Sequence, residues 1–218
     1  MSSDATVFVV DDDPAVRTSL ADLMTSIGIP VECYPSAQEF LDAFDPSRGG
    51  CLVADVRMPG ISGIELQERL CSLGADIAVI LLTGHGDVPM AVQALKRGAI
   101  DFLEKPCRPQ VLLDRIQHAL QVDAKRRTAR VEEDEVARRL STLTQRERRV
   151  VEMIASGMTT KAIAAEFQVS TQAVDAHRSR AMKKLNVNTV PTLAVLVADA
   201  VKRQSSPAAS PQKLRSDG

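Results

Sequence analysis

The sequence lacks the cysteine spacing of a metal site. Its four cysteines form no CxxC pair, and no histidine lies close enough to them in sequence to complete a metal-ligand motif. Three of the four lie in or beside apolar segments, which predicts buried free thiols in a reducing compartment. The four residues are Cys33, Cys51, Cys71 and Cys107.

Long apolar runs and a targeting leader are absent as well. The longest apolar runs, such as Ile77–Leu82 and Leu193–Ala198, are far too short to span a bilayer, and no basic and apolar segment opens the chain. We therefore expect a cytoplasmic protein with no membrane partner.

The whole chain lacks a large net charge, but its two halves carry opposite net charges. The formal net charge is −1, yet residues 1–122 carry nine basic and seventeen acidic side chains, and residues 141–203 carry ten basic and five acidic ones. This asymmetry suggests that the second half meets a polyanion, although uneven surface charge alone would give the same pattern. The 218 residues suffice for one large domain or two small ones.

The first half contains five short apolar segments that alternate with helical patterns. The predicted strands cover residues 7–10, 31–34, 51–54, 78–82 and 100–103, and Asp13 and Ser36 are predicted N-caps of the first two helices. This alternation predicts an α/β fold, a doubly wound parallel (βα)5 sheet with helices on both faces and right-handed crossovers.

Four of the predicted strands lead into reactive side chains. The first leads to Asp11 and Asp12, the third to Asp55, the fourth to Thr83 and the fifth to Lys105. Because the carboxyl ends of parallel strands share one edge, we expect these side chains to share a crevice. Three carboxylates repel one another and need a cation, and their hard oxygen atoms favour Mg²⁺. Asp55 could then attack a phosphoryl donor in line and form an acyl phosphate.

These segments resemble the receiver domain of two-component response regulators, most closely the FixJ branch, over about residues 5–122. The resemblance rests on the double aspartate, on DVRMPG at 55–60, on TGHGDVPM at 83–90 and on DFLEKP at 101–106. It implies that Asp55 is the phosphoacceptor and that Asp11 and Asp12 form the acidic pocket. It further implies that Asp12, Asp55 and the backbone carbonyl of Arg57 hold Mg²⁺.

The same resemblance assigns roles to three other positions. Thr83 and Lys105 would contact the phosphoryl oxygens, and Phe102 would be the aromatic switch that reports phosphorylation to the fourth helix and fifth strand. The Lys105–Pro106 peptide bond is expected to be cis. Simpler interpretations stay open, since the aspartates could be a solvated cap, Thr83 a turn cap and Phe102 plain core. His85 is interpreted as incidental.

The connector, residues 123–140, is dominated by charge. Arg130 with Asp134, and Glu135 with Arg139, are pairs four residues apart that support a helix. A heptad of apolar residues hints at a coiled coil, but its companion positions are charged. We favour a solvated helix that continues the receiver's last helix. The heptad residues are Val122, Ala129, Val136 and Leu143.

The basic half is predicted to hold four helices within residues 141–203. Thr144 and Glu147 fit a capping box, Thr160 starts a short second helix, and Ser170 caps a longer third helix with His177 on its inner face. A short helix, a tight turn and a longer helix with a polar, basic face are typical of a helix-turn-helix, with a plain helical bundle as the alternative.

This region resembles the LuxR/FixJ-type tetrahelical DNA-binding domain, on LTxRE, IAxG, TKxIA and VSxxxVxxHR followed by KKL. The resemblance implies that the third helix enters the major groove and that the fourth pairs subunits. It places Asp175, Ala176 and Ser179 on base edges and Gln172, Arg178 and Lys183 on phosphates, and Thr171 also faces outward on this helix.

Together these features predict a response regulator. A sensor histidine kinase would phosphorylate Asp55, the chain would form a homodimer and bind double-stranded promoter DNA, and RNA polymerase would be a further partner. Its only catalysis would be self-phosphorylation and slow autodephosphorylation. The alternatives are an Mg²⁺-dependent phosphohydrolase and a constitutive DNA-binding protein with a docking receiver, whereas a haloacid-dehalogenase phosphatase is disfavoured by Pro14. Residues 204–218 are expected to be a disordered tail.

Overall fold

The computed structural model describes residues 5–84 and 88–205. The chain divides into two compact units, Met1–Thr128 and Ala129–Gly218. Within the described ranges, no helix combines the length and the apolar character that a membrane crossing requires.

Five parallel strands form the sheet of the first unit. They are β1 (Thr6–Val10), β2 (Val31–Tyr34), β3 (Gly50–Asp55), β4 (Ala78–Thr83) and β5 (Asp101–Glu104). Their order in the sheet is β2-β1-β3-β4-β5, and every neighbouring pair is parallel. The predicted doubly wound α/β fold is confirmed. The order reverses between β1 and β3, which is the point where open α/β sheets bind ligands.

Helices cover both faces of this sheet. They are α1 (Pro14–Ser26), α2 (Ala37–Ala43), α3 (Gly63–Ser72), α4 (Val88–Lys96) and α5 (Pro109–Ser141). The predicted N-caps are confirmed, because Asp13 accepts a hydrogen bond from the Ala15 amide and Ser36 accepts one from the Glu39 amide. Residues 85–87, which include His85, lie outside the described residues.

The core of the first unit has one layer on each side of the sheet. β1, β3 and β4 are buried along their whole length, so their side chains fill both layers. One layer contains Phe8, Phe40, Leu52, Leu66 and Leu81, and the other contains Met24, Val53, Ile80, Leu112 and Ile116. All four cysteines are free, but the prediction of buried thiols holds only for Cys51, because Cys33 and Cys71 are exposed.

Helix α5 continues without a break through the predicted connector, as the favoured interpretation expected. Its first part is only partly solvated, however. Asp123 is 4% exposed, and its Oδ2 accepts a 2.9 Å hydrogen bond from the Gly50 amide at the start of β3. Arg126 pairs with Asp76 at 3.1 Å. Only residues 127–134 are exposed throughout. Residues 123–128 lie in the first compact unit, and nothing in their charged sequence indicates that Asp123 is buried.

The second unit is helical. Its helices are α6 (Gln145–Ala155), α7 (Thr160–Phe167), α8 (Thr171–Leu185) and α9 (Val190–Ser205), preceded by the end of α5. The heptad residues Val136 and Leu143 pack within this unit, with Leu185 and Leu193, which accounts for their apolar character without a coiled coil. Helix α9 ends two residues into the predicted tail, and residues 206–218 lie outside the described residues.

Local signals fix the helix starts in this unit. The capping box at Thr144 and Glu147 is confirmed, and so is the cap at Ser170. Helix α7 is capped by Thr159, so the prediction that Thr160 starts the helix is correct but its cap lies one residue earlier. Glu147 is 3% exposed and also accepts a 2.6 Å hydrogen bond from Lys184, which joins α6 to the end of α8.

Candidate functional site

Four strands deliver polar side chains to one edge of the sheet. Asp55 and Thr83 are the last residues of β3 and β4, and Lys105 directly follows β5. Thr83 pairs with Glu104 in the sheet register, so β4 and β5 end side by side. Asp11 directly follows β1 at the same edge. The structure thus brings together the strand-end residues that the sequence predicted.

Three carboxylates converge at this edge. One oxygen each of Asp11, Asp12 and Asp55 lies within 4.8 Å of the others. Asp11 and Asp55 are buried, whereas Asp12 is exposed. The cluster therefore opens to solvent on the side of Asp12, where a small ligand can enter.

Lys105 ties two of these carboxylates together. Its Nζ donates a 2.6 Å hydrogen bond to Asp11 Oδ2 and lies 3.0 Å from Asp55 Oδ1. The other oxygen of Asp11 accepts a 2.9 Å hydrogen bond from the Asp13 amide. One ammonium group thus offsets part of the negative charge of the cluster, and the net charge of the four side chains remains negative when all are ionised.

The electrostatic environment opposes ionisation of Asp55. Burial raises the pKa of its carboxyl, the nearby charges of Asp11 and Asp12 act in the same direction, and Lys105 only partly compensates. Burial alone would lower the pKa of Lys105, but its hydrogen bonds to Asp11 and Asp55 outweigh burial and raise it. Lys105 therefore stays charged, and ionised Asp55 is held at a cost in free energy.

Thr83 and Phe102 lie on β4 and β5, the strands that lead to this edge of the sheet. Thr83 is fully buried at the end of β4, and its carbonyl accepts a 2.6 Å hydrogen bond from the Lys105 amide. Phe102 is half-buried and packs against the apolar layer that contains Leu81. The Lys105–Pro106 peptide bond is cis, as expected.

The donor set suits a hard divalent cation. Three carboxylates whose oxygens approach within 4.8 Å, one of them facing solvent, are the ligand type and charge that Mg²⁺ favours in proteins. Arg57 is exposed and lies two residues after Asp55, in the loop that leads to α3. Its carbonyl as a ligand stays a prediction.

Two residues that shape this edge were not singled out from the sequence. An added Cβ on Gly63, the first residue of α3, would lie 2.3 Å from the Asp55 carbonyl oxygen, so glycine allows the helix to start directly against the strand end. Arg17 Nη1 donates a 2.7 Å hydrogen bond to the Asp11 carbonyl. A signal for Arg17 was present, because it is a cation in the first turn of a helix, where the helix dipole disfavours it.

The second unit contains the predicted helix-turn-helix. α7 ends at Phe167, and Gln168 adopts a left-handed conformation with φ of 53°, which turns the chain sharply before Ser170 caps α8. Val174 and Ala181 bury the inner face of α8. His177 lies on the same face of α8 as Val174 and Ala181, as predicted, but it is half-buried and not fully buried, and its Nδ1 lies 3.2 Å from Arg180 Nη2.

The predicted DNA-contacting residues share the outer face of α8. Arg178 and Asp175 are half-buried and form a 3.0 Å ion pair, so neither side chain is independent of the other. The other five are exposed, namely Thr171, Gln172, Ala176, Ser179 and Lys183. A row of exposed polar and basic side chains on the longer helix of a helix-turn-helix is suited to phosphates and base edges.

Two protein families match the chain, one in each unit. Residues 7–117 match the family described as "Response regulator receiver domain", and residues 141–197 match that described as "Bacterial regulatory proteins, luxR family". The first match alone covers about half of the chain, and it contains every residue of the carboxylate cluster.

Curated relatives match along most of their length. The chain is 45% identical over 187 residues to the "Transcriptional regulatory protein FixJ" of Azorhizobium caulinodans, covering 86% of this chain and 89% of that protein. It is 40% identical over 196 residues to the "Response regulator protein TodT" of Pseudomonas putida, covering 90% and 86%.

Two solved structures of similar proteins superpose on most of the chain. The chain superposes on the response regulator StyR with a TM-score of 0.81 and 45% identity, covering 90% of this chain and 99% of that one. Full-length FixJ from B. japonicum gives a TM-score of 0.55 and 38% identity, with coverage of 91% and 98%.

Proposed function

Because the chain belongs to the two-component response regulators that join a receiver domain to a LuxR-type DNA-binding domain, we propose that Asp55 is the residue whose phosphorylation controls it. The protein is a phosphorylation-controlled transcription regulator, and its partners are a sensor kinase and DNA. The observation that supports the assignment to Asp55 is the ammonium of Lys105, which lies between the carboxylates of Asp11 and Asp55.

The proposed chemistry is a phosphoryl transfer to a carboxylate. An Asp55 oxygen attacks the phosphorus of a phosphohistidine on the kinase, the phosphorus–nitrogen bond breaks, and the leaving imidazole takes up a proton. The product is an acyl phosphate on Asp55. Lys105 stays charged beside the acceptor and offers its ammonium to a phosphoryl oxygen, and the buried hydroxyl of Thr83 is proposed to contact another.

Asp12, Asp55 and the carbonyl of Arg57 are proposed to hold Mg²⁺. Receiver domains in general bind this ion in their acidic pocket, where it neutralises the charge that develops on the phosphoryl oxygens. The protein itself positions the oxygens of the acidic pocket, including those of Asp55. The family is not one of typical enzymes, and the only catalysis we propose is self-phosphorylation with slow autodephosphorylation.

The proposed switch passes from Asp55 to the surface through Thr83 and Phe102. A phosphoryl group on Asp55 would draw the Thr83 side chain toward itself, and the half-buried ring of Phe102 would rotate inward. This movement would bias the receiver between two pre-existing states, one of which favours a homodimer.

DNA binding is assigned to the outer face of α8, from Thr171 to Lys183. Asp175, Ala176 and Ser179 are proposed to read base edges, and the flanking Gln172, Arg178 and Lys183 to contact phosphates. Two such modules in a homodimer bind paired half-sites with a raised effective concentration, which compensates for the weak binding of one module. RNA polymerase as a further partner and a cytoplasmic location belong to the same proposal.

The test replaces the acceptor with its uncharged isostere. For Asp55→Asn we expect no incorporation of phosphate from acetyl phosphate, and a promoter affinity that acetyl phosphate no longer raises. The measurements are phosphate incorporation and a footprint on the target promoter. Asp101→Asn, at the start of β5 and so at the other end of the strand from Lys105, is the control that keeps phosphorylation. Undiminished stimulation by acetyl phosphate in Asp55→Asn would overturn the assignment.

A further inference from the structure

We propose that Arg17 is a positioning residue that orients the acidic loop for the metal ion. Its guanidinium Nη1 donates a 2.7 Å hydrogen bond to the Asp11 carbonyl across six residues of sequence. This carbonyl belongs to the peptide bond that joins Asp11 to Asp12. Fixing it therefore fixes the direction in which the backbone of Asp12 leaves the strand end.

Every other polar group of Asp11 is also held. Its amide donates a 3.2 Å hydrogen bond to the Tyr34 carbonyl on β2. Its two carboxylate oxygens accept from the Asp13 amide at 2.9 Å and from Lys105 at 2.6 Å. With the carbonyl bound by Arg17, all four polar groups of Asp11 are engaged, so this residue is a rigid support for Asp12.

Asp12 is the residue that depends on this support. It is exposed, unlike Asp11 and Asp55, and its carboxylate is part of the cluster. The rotation of the Asp11–Asp12 peptide sets whether this carboxylate points toward Asp55 or toward solvent. Arg17 restrains that rotation from outside the cluster.

The placement of Arg17 is not explained by the stability of its own helix. It is the fourth residue of α1, whose first turn has no acidic residue, and a cation at this end opposes the helix dipole. Its amide makes the ordinary helical hydrogen bond to the Asp13 carbonyl at 3.1 Å, so Arg17 lies one turn after the residue that caps the helix. The side chain thereby reaches back over the cap to the loop that carries the carboxylates.

This role of Arg17 rests on the proposed Mg²⁺ site and predicts a loss of metal affinity. Residues that orient metal ligands without touching the metal change affinity by about tenfold to a hundredfold when they are replaced. For Arg17→Met we expect Mg²⁺ to bind about tenfold more weakly. Arg17→Lys, which keeps a charged donor, should recover most of the loss.

The experiment is calorimetric titration of the unphosphorylated full-length chain with Mg²⁺, at constant ionic strength. Thr18→Ala is the control, because Thr18 is exposed on the same helix and its hydroxyl bonds only the local Pro14 carbonyl in the described contacts. Asp12→Asn tests the site itself. Thermal melting without Mg²⁺ establishes that each variant is folded.

The outcomes separate the role of Arg17 from the proposed function. Weaker binding in Arg17→Met, recovery in Arg17→Lys and no change in Thr18→Ala support the positioning role. Wild-type affinity in Arg17→Met together with lost affinity in Asp12→Asn overturns the role of Arg17 alone. Unchanged affinity in Asp12→Asn overturns the metal site, and an equal loss in Thr18→Ala shows that the effect of Arg17→Met belongs to the helix and not to the contact with Asp11.

Discussion

Buried carboxylates in the two units have opposite electrostatic environments. Asp55 in the first unit is 8% exposed, and burial together with the charges of Asp11 and Asp12 raises its pKa. Glu147 in the second unit is 3% exposed, yet hydrogen bonds from Lys184 and from the Thr144 amide lower its pKa to about 2. Both side chains have little solvent exposure, but Asp55 lies deeper in its unit, so desolvation is the main cause of its raised pKa, whereas the donors around Glu147 outweigh a smaller desolvation.

The two carboxylates differ in the number of their hydrogen-bond donors and in whether those donors are shared with another carboxylate. Glu147 has an ammonium at 2.6 Å and a backbone amide at 2.9 Å on the same oxygen, and no carboxylate competes for them in the described contacts. Asp55 shares one ammonium with Asp11. A carboxylate with several hydrogen-bond donors stabilises the fold. A cluster of carboxylates that share one donor keeps an excess of negative charge, which a bound cation can neutralise.

The largest effect on stability is expected from removing Lys105, the cation that pairs with the cluster in the described contacts. Lys105→Met leaves the buried carboxylates of Asp11 and Asp55 beside each other without this ammonium. We expect a loss of about 3 kcal/mol in the free energy of unfolding at neutral pH, at the low end for a buried pair because the Lys105 side chain is 22% exposed. The difference from the wild type should shrink as the pH falls, beginning above the ordinary pKa of an aspartate because the pKa of Asp55 is raised by burial.

Tyr34 makes this loss measurable in one unit alone. It is the single tyrosine in a chain without tryptophan, and it lies on β2 of the first unit. Urea unfolding followed by tyrosine fluorescence therefore reports on the receiver. Lys96→Met, which removes an exposed lysine from α4, is the matched control. If Lys105→Met and Lys96→Met had the same urea midpoint, the stability of the first unit would not depend on this ion pair.

A smaller effect is expected at Glu147. Replacement by alanine removes both the cap and the ion pair and should cost about 2 kcal/mol, whereas glutamine can still accept from the Thr144 amide and should cost about 1 kcal/mol. The folded-state pKa of Glu147, about 2, lies below its ordinary value of 4.5. The stabilisation is therefore complete above pH 4.5 and is lost as the pH falls toward 2.

Helical circular dichroism during urea unfolding measures the change at Glu147, and tyrosine fluorescence should keep its wild-type midpoint because the receiver is untouched. Glu166→Gln, at an exposed position on α7, provides the comparison. If Glu147→Gln kept its deficit unchanged from about pH 7 down to about pH 2.5, the link between its lowered pKa and stability would be wrong.

Local features of both units could be predicted from sequence, because they depend on neighbours along the chain. The caps at Asp13, Ser36, Thr144 and Ser170 each bond an amide two or three residues on, and the strand-end aspartates follow from the alternation of the sheet. Where two threonines adjoin, either could cap, and Thr159 rather than Thr160 does so.

Contacts between distant residues could not be predicted in this way. Lys184 lies 37 positions from Glu147, and Asp123 lies 73 positions from Gly50. Neither pair has a sequence pattern that distinguishes it from a solvated charge. Arg17 is a different case, because a cation in the first turn of a helix is a sequence signal, but the path of the loop determines that its acceptor is the Asp11 carbonyl.

Asp123 lies between the two extremes, and its replacement by asparagine should show the smallest effect. Burial raises its pKa, opposed mainly by the hydrogen bond from the Gly50 amide and by the charge of Arg127. Since its neutral form is already favoured by burial, Asp123→Asn should keep an acceptor for that amide and change the stability by no more than about 0.5 kcal/mol. Asp123→Ala leaves the amide unpaired and should cost about 1–3 kcal/mol. Tyrosine fluorescence again follows the first unit. Equal losses in both variants would mean that the charge of Asp123, and not its role as an acceptor, holds this part of α5 to the start of β3.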